Sequence, residues 1–93
     1  ARRCERLMAT LHLISNVASL DSCLATAGDA DTILLIEDGV YVGTQPHSRD
    51  LKAIDDDVRA RGLDGRLQPN TSVISYDDFV QLAVEHQPIV TWC

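Results

Sequence analysis

One of the three thiols, that inside the expected fold, one strand-end carboxylate, a run of three aspartates and three imidazoles are the groups in this chain equipped for chemistry. Cys23 sits inside the expected fold near the start of a helix, where the partial positive charge of the helix end favours a thiolate. Such a thiolate attacks a sulfane sulfur and holds it as a persulfide, which makes Cys23 a candidate sulfur carrier. The plainer account is packing. Leu20, Cys23, Leu24 and Ala27 recur at helical spacing, small buried cysteines are common, and Asp21 nearby opposes ionisation.

Asp38 ends the apolar run Ile33-Leu34-Leu35-Ile36 and is followed by Gly39, so it offers either a metal or acid-base carboxylate or simply a turn, and the turn is the simpler account. Asp55-Asp56-Asp57 lacks the alternating ligands and glycine of a calcium loop and suits a helix start instead. His12 lies within an apolar strand and reads as packed, His47 lies in a loop, and His86 suits the end of a helix. None has a visible nucleophile beside it, so a catalytic triad is unsupported. Neither G-x-G-x-x-G nor G-x-x-x-x-G-K-[ST] occurs, and no cofactor or metal is expected.

These groups must be held by elements that the apolar pattern locates. Leu11–Ile14 reads as a first strand, followed through Ser15-Asn16 by the helix that carries Cys23. Thr32–Ile36 does not alternate and so reads as a strand buried on both faces, leaving through the turn at Asp38-Gly39. The stretch with Gly43, Pro46 and Ser48 is too broken for a long helix. Leu51–Ile54 is a weaker strand, and a short helix runs from Asp55 to Arg61 and stops at Gly62. Ser72–Ile74 reads as a fourth strand. Ser75-Tyr76-Asp77-Asp78 then forms a capping box for a helix with Phe79, Leu82, Ala83 and His86 on one face, stopped by Pro88 before an edge strand at Val90–Trp92. The fold class is therefore α/β, a small, mainly parallel sheet of four to five strands flanked by helices in a flavodoxin-like or Rossmann-like layer sandwich.

Ninety-three residues suit a single domain, and a chain of this size buries only roughly 60 to 65 % of its unfolded surface, so a partner subunit would help it. Residues 1–7 hold three of the eight basic residues and read as an N-terminal extension, with Met8 opening a domain over 8–93. The formal charge is −6, and more negative without that extension, which disfavours direct nucleic-acid binding. Cys4, Cys23 and Cys93 are widely spaced and form neither a disulfide framework nor a zinc site, in keeping with a reducing, cytoplasmic setting. The longest apolar run is far below the roughly 18 residues of a membrane span.

The motifs together are more specific than any alone. Leu11-His12-Leu13-Ile14-Ser15, Ser19-Leu20-Asp21-Ser22-Cys23-Leu24, Leu34-Leu35-Ile36-Glu37-Asp38-Gly39-Val40-Tyr41, Asp56-Asp57-Val58-Arg59-Ala60-Arg61-Gly62-Leu63, and Tyr76-Asp77-Asp78-Phe79-Val80-Gln81-Leu82 through His86 to Trp92 appear in the order in which the TusB/DsrH family of sulfur-relay proteins carries them. By this the chain, from Met8 to Trp92, resembles that family.

The resemblance implies a DsrE-like fold and a place as the smallest subunit of a heterohexamer with TusC/TusD-like (DsrF/DsrE-like) partners. Such complexes pass persulfide sulfur toward 2-thiolation of wobble uridine in tRNA through a downstream sulfur-carrier protein, or serve dissimilatory sulfur oxidation. In the family the principal acceptor cysteine belongs to the TusD or DsrE partner, while Cys23 matches the cysteine of the S-L-x-S-C-L context found in many DsrH-type sequences. The chain is thus not expected to be an independent enzyme, and a purely structural subunit is the competing reading. One departure stands out. The family has a longer segment between Val40 and Lys52, so the second helix is expected to be shortened. A phospho-acceptor domain of the receiver type would need a lysine at a strand end, whereas the sole lysine, Lys52, lies at a strand start.

Overall fold

The computed structural model describes residues 9–86 and 88–92. The expected extension over 1–7, Met8, Cys4 and Cys93 lie outside them. Five strands form one parallel sheet: β1 (Leu11–Ile14), β2 (Thr32–Leu35), β3 (Leu51–Ile54), β4 (Thr71–Ile74) and β5 (Ile89–Trp92), in the order β4-β3-β2-β1-β5. Three helices connect them: α1 (Leu20–Thr26), α2 (Asp55–Ala60) and α3 (Tyr76–Glu85). The chain steps outward from β1 to β4 and then returns across the sheet to place β5 on the other side of β1. The mainly parallel sheet read from the sequence is present, with five strands.

Side chains alternate between the two faces, and a different cover lies on each. On one face Ile14, Ile33, Leu35, Leu51 and Ala53 pack against Cys23 of α1, Val40 and Val42 of the β2–β3 connection, and Val58 of α2. On the other, Leu11, Leu34 and Ile54 meet Phe79, Leu82 and Ala83 of α3 alone. This explains why Ile33-Leu34-Leu35 reads as an unbroken apolar run, since β2 is central and covered on both sides. Each of those side chains contributes about 1.5–3 kcal/mol by leaving water.

Where a second full helix is expected, the chain makes a 3-10 segment over Glu37–Thr44, so the shortening anticipated from the sequence is present and takes this form. It enters through Glu37, which adopts a positive φ of 50° and donates its backbone N–H to Asp57 Oδ2 at 2.8 Å. Gly39 then packs against the backbone of Ile14, where a Cβ would lie 2.7 Å from the carbonyl carbon. Gly43 likewise lies against Thr71 and Leu67. The two glycines let a connection without a full helix still bury Val40 and Val42.

The capping box at α3 is formed as expected: Ser75 Oγ accepts from the Asp78 N–H at 3.1 Å, and Asp78 Oδ2 accepts from the Ser75 N–H at 3.3 Å. Such a cap contributes about 1 kcal/mol. α2 starts with Asp55, Asp56 and Asp57 in its first turn, with Arg59 paired to Asp55 at 3.0 Å. Gly62, at φ 67°, ends that segment.

Candidate functional site

Cys23 occupies the second turn of α1, and the local sequence fixes its direction. Asn16 Oδ1 accepts from the Ser19 N–H at 3.0 Å, capping a short 3-10 turn over Val17–Ser19 that runs straight into α1. Leu20, Cys23 and Ala27 then face the sheet. The thiol is fully buried, 0 % exposed. Burial pushes its pKa above the ordinary thiol value; the Arg49 guanidinium pulls the other way and Asp31 adds to the rise, and burial prevails. Asp21, singled out by its sequence position, is not among the charges that act on it.

Leu24 belongs to the same helical stripe but stays 39 % exposed beside the 46–51 segment. A groove of about 550 Å³ remains there, lined by Leu20, Leu24, Pro46, His47, Arg49 and Leu51. Cys23 does not line it, so a molecule entering the groove meets the aliphatic shoulder of α1 rather than the thiol. The neutral, enclosed thiol should react with iodoacetamide roughly a hundredfold more slowly in the folded protein than in denaturant, as peptide mapping of Cys23 will show.

Arg49 carries no motif and was not visible as a functional residue. Its Nη2 donates to the carbonyl oxygens of Gly28 and Asp31, each at 2.7 Å, and ties the α1–β2 turn to the 46–51 segment. That segment is also held by Asn70, whose Nδ2 donates to the His47 carbonyl at 2.8 Å.

All three histidines have both ring nitrogens engaged. Trp92 Nε1–H, which can only donate, lies 3.0 Å from His12 Nδ1, so this nitrogen accepts and Nε2–H donates to Asp31 Oδ2 at 2.9 Å. His47 Nδ1–H donates to the Arg49 carbonyl at 2.7 Å, leaving Nε2 to accept from Thr71 Oγ1 at 2.8 Å. His86 Nδ1–H donates to the Leu82 carbonyl at 2.8 Å, and Nε2 accepts from Thr32 Oγ1 at 2.9 Å. The His12–Asp31 pair has the form of a catalytic dyad, but the nitrogen that would serve a nucleophile is taken by tryptophan. His12 is packed, as its apolar strand suggests.

Asp38 stands at the carboxyl end of the sheet, largely exposed, with its Oδ1 accepting from Arg61 Nε at 3.0 Å. Arg61 Nη1 also lies 3.7 Å from Asp57 Oδ1, so these residues brace the turn after β2 against α2. Among the described residues, no three His, Cys, Asp or Glu side chains are gathered to hold a metal ion, and no helix is long and apolar enough to cross a membrane.

Comparison with known proteins adds a second line of observation. Residues 15–89 match the family described as DsrH like protein. Protein TusB of Enterobacter sp. (strain 638) is 34 % identical over 94 residues, covering 88 % of this chain and 99 % of that protein. Protein TusB of Yersinia pestis (strain Pestoides F) and of Yersinia pseudotuberculosis serotype O:1b (strain IP 31758) are each 37 % identical over 83 residues, covering 78 % of this chain and 86 % of theirs.

Proposed function

This chain belongs to the DsrH family, and from that premise we propose that it is a subunit of a sulfur-relay complex, seated among DsrE- and DsrF-like partners, that serves 2-thiolation of tRNA wobble uridine. Its contribution there is structural. The observation that carries this reading is the enclosure of Cys23, the sole cysteine among the described residues, in the core beneath α1 with its pKa raised. A thiol that takes sulfur from a persulfide must reach the donor as a thiolate, and both requirements oppose the position Cys23 holds. Sulfur then passes through cysteines of the partners toward a downstream carrier protein, and this chain completes the surface on which they meet.

The test is complementation of a strain lacking the chain, read as the 2-thiouridine content of its tRNA. Wild type should restore thiolation, and Cys23→Ser should restore it equally. A Cys23→Ser chain that folds and assembles yet leaves tRNA unthiolated would make Cys23 a sulfur carrier instead. Wild type that leaves tRNA unchanged while restoring growth on reduced sulfur would move the complex to sulfur oxidation.

A further inference from the structure

The apolar arc of helix α3 is wider than the part that the sheet covers. Phe79, Leu82 and Ala83 lie on the sheet, yet no residue of the helix is fully buried. On the flank beside that face Tyr76, Val80 and Val84 follow one another at four-residue steps and are 61 %, 49 % and 69 % exposed. That spacing keeps them on one ridge. A single surface valine is ordinary, but a helix whose apolar arc runs on past the sheet along a whole exposed flank belongs between two bodies rather than between a sheet and water. Tyr76 also stands edge-on to Phe79, ring centroids 5.5 Å apart, which joins the ridge to the core side of the helix.

Beside the ridge the helix is acidic. Asp77 and Glu85 are exposed on α3, the helix contains neither lysine nor arginine, and Lys52 of β3 lies on its other flank, by Asp78, Gln81 and Leu82. His86, which follows, is committed to Thr32 and Leu82. A second copy of the chain docking ridge to ridge would set these carboxylates against their own counterparts, an arrangement that like-charge repulsion disfavours.

We propose that the ridge Tyr76–Val80–Val84 is the surface on which a partner subunit docks, and that the partner presents an apolar strip flanked by lysine or arginine. This rests on the reading of the chain as a relay-complex subunit and names the face it uses.

The experiment co-expresses the full chain with the DsrE- and DsrF-like subunits encoded in the same genome and measures assembly by co-purification and titration. The Val80→Glu/Val84→Glu variant should fold, with an unchanged circular dichroism spectrum, and lose at least about thirtyfold in affinity. Asp77→Lys/Glu85→Lys should bind several-fold more weakly, with a shallower dependence on salt. Val73→Glu, at an exposed position on the edge strand β4, should bind as wild type. If the double valine variant fails to fold, Val84→Glu alone is measured, since Val84 is the most exposed of the three. Assembly of the valine variants at wild-type affinity would overturn the docking face and leave the relay reading standing. Failure of the wild-type chain to join these subunits would overturn the relay reading and this proposal with it. Self-association of the chain alone that the valine variants abolish would make the occupant a second copy, and indifference to the charge variant would overturn the basic flank.

Discussion

Gly39→Ala is expected to cost the fold about 3 kcal/mol or more, a fall in Tm of roughly 15 °C measured by thermal circular dichroism. The added Cβ would meet the carbonyl group of Ile14, with its carbon at 2.7 Å and the Ile14 Cγ2 at 3.3 Å. Neither neighbour is a flexible tip. The same carbonyl oxygen accepts from the Ile36 N–H at 2.9 Å, so moving it disturbs the end of the β1–β2 pairing. The Gly39 N–H also donates to the Ile36 carbonyl at 2.8 Å, which pins the turn from its own side. Against a total stability of about 5–10 kcal/mol for so small a domain, this loss leaves little margin. Gly28→Ala is the control: its nearest neighbours are Asp31 side-chain atoms from 3.8 Å outward, an ordinary contact, and it should be tolerated.

Asp31→Ala should cost about 3 kcal/mol through the donors it strands. Asp31 Oδ1 accepts from the Thr10 N–H at 3.0 Å, and Oδ2 accepts from the Gly28 N–H and from His12 Nε2–H, each at 2.9 Å. With the carboxylate gone, the buried His12 keeps a donor with no acceptor. The same contacts set a pH dependence. Desolvation alone would raise the Asp31 pKa, but the bonds from His12, Gly28 and Thr10 outweigh it and hold the carboxyl below its ordinary value. A carboxylate lowered in the folded state stabilises the fold fully above its unfolded pKa, near 4, and the contribution is lost as pH falls through the lower folded value. Denaturant unfolding of wild type and Asp31→Asn should therefore differ most at neutral pH, begin to converge as pH falls below about 4, and meet only below the lowered pKa of the folded state.

The parts of this fold legible in the sequence are those decided by neighbours along the chain. Leu11–Ile14 and Leu51–Ile54 are apolar runs bounded by turn residues, and Ser75 with Asp78 forms its capping box within a single helical turn. The 3-10 connection was not legible in the same way. Its buried Val40 and Val42 alternate as strand residues do, and what makes the segment compact is the close approach of Gly39 to Ile14 and of Gly43 to Thr71, neither of which is local. Leu24 fits the apolar stripe of α1 yet stays partly in water beside the 46–51 segment. The packed state of His12 was readable from its apolar flanks. Its partners were not: Asp31 reaches it across the α1–β2 turn, and Trp92 through a strand pairing that spans 80 residues. Arg49 escaped notice for a related reason, since its value lies in two backbone carbonyls and carries no side-chain motif.

The place of β5 beside β1 also bears on the order in which the chain folds. Strands β1 to β4 pair with neighbours that follow one another along the sequence, so this part of the sheet can assemble stepwise through short loop closures. β5 must find the far side of β1, with Ile14 opposite Trp92, after everything between them has been traversed. Until it does, β1 is an open edge that other chains can pair with. The indole–imidazole bond and the Ser15 hydroxyl, which donates to the Trp92 carbonyl at 3.1 Å, act at the end of that search and hold the last strand in register once it arrives.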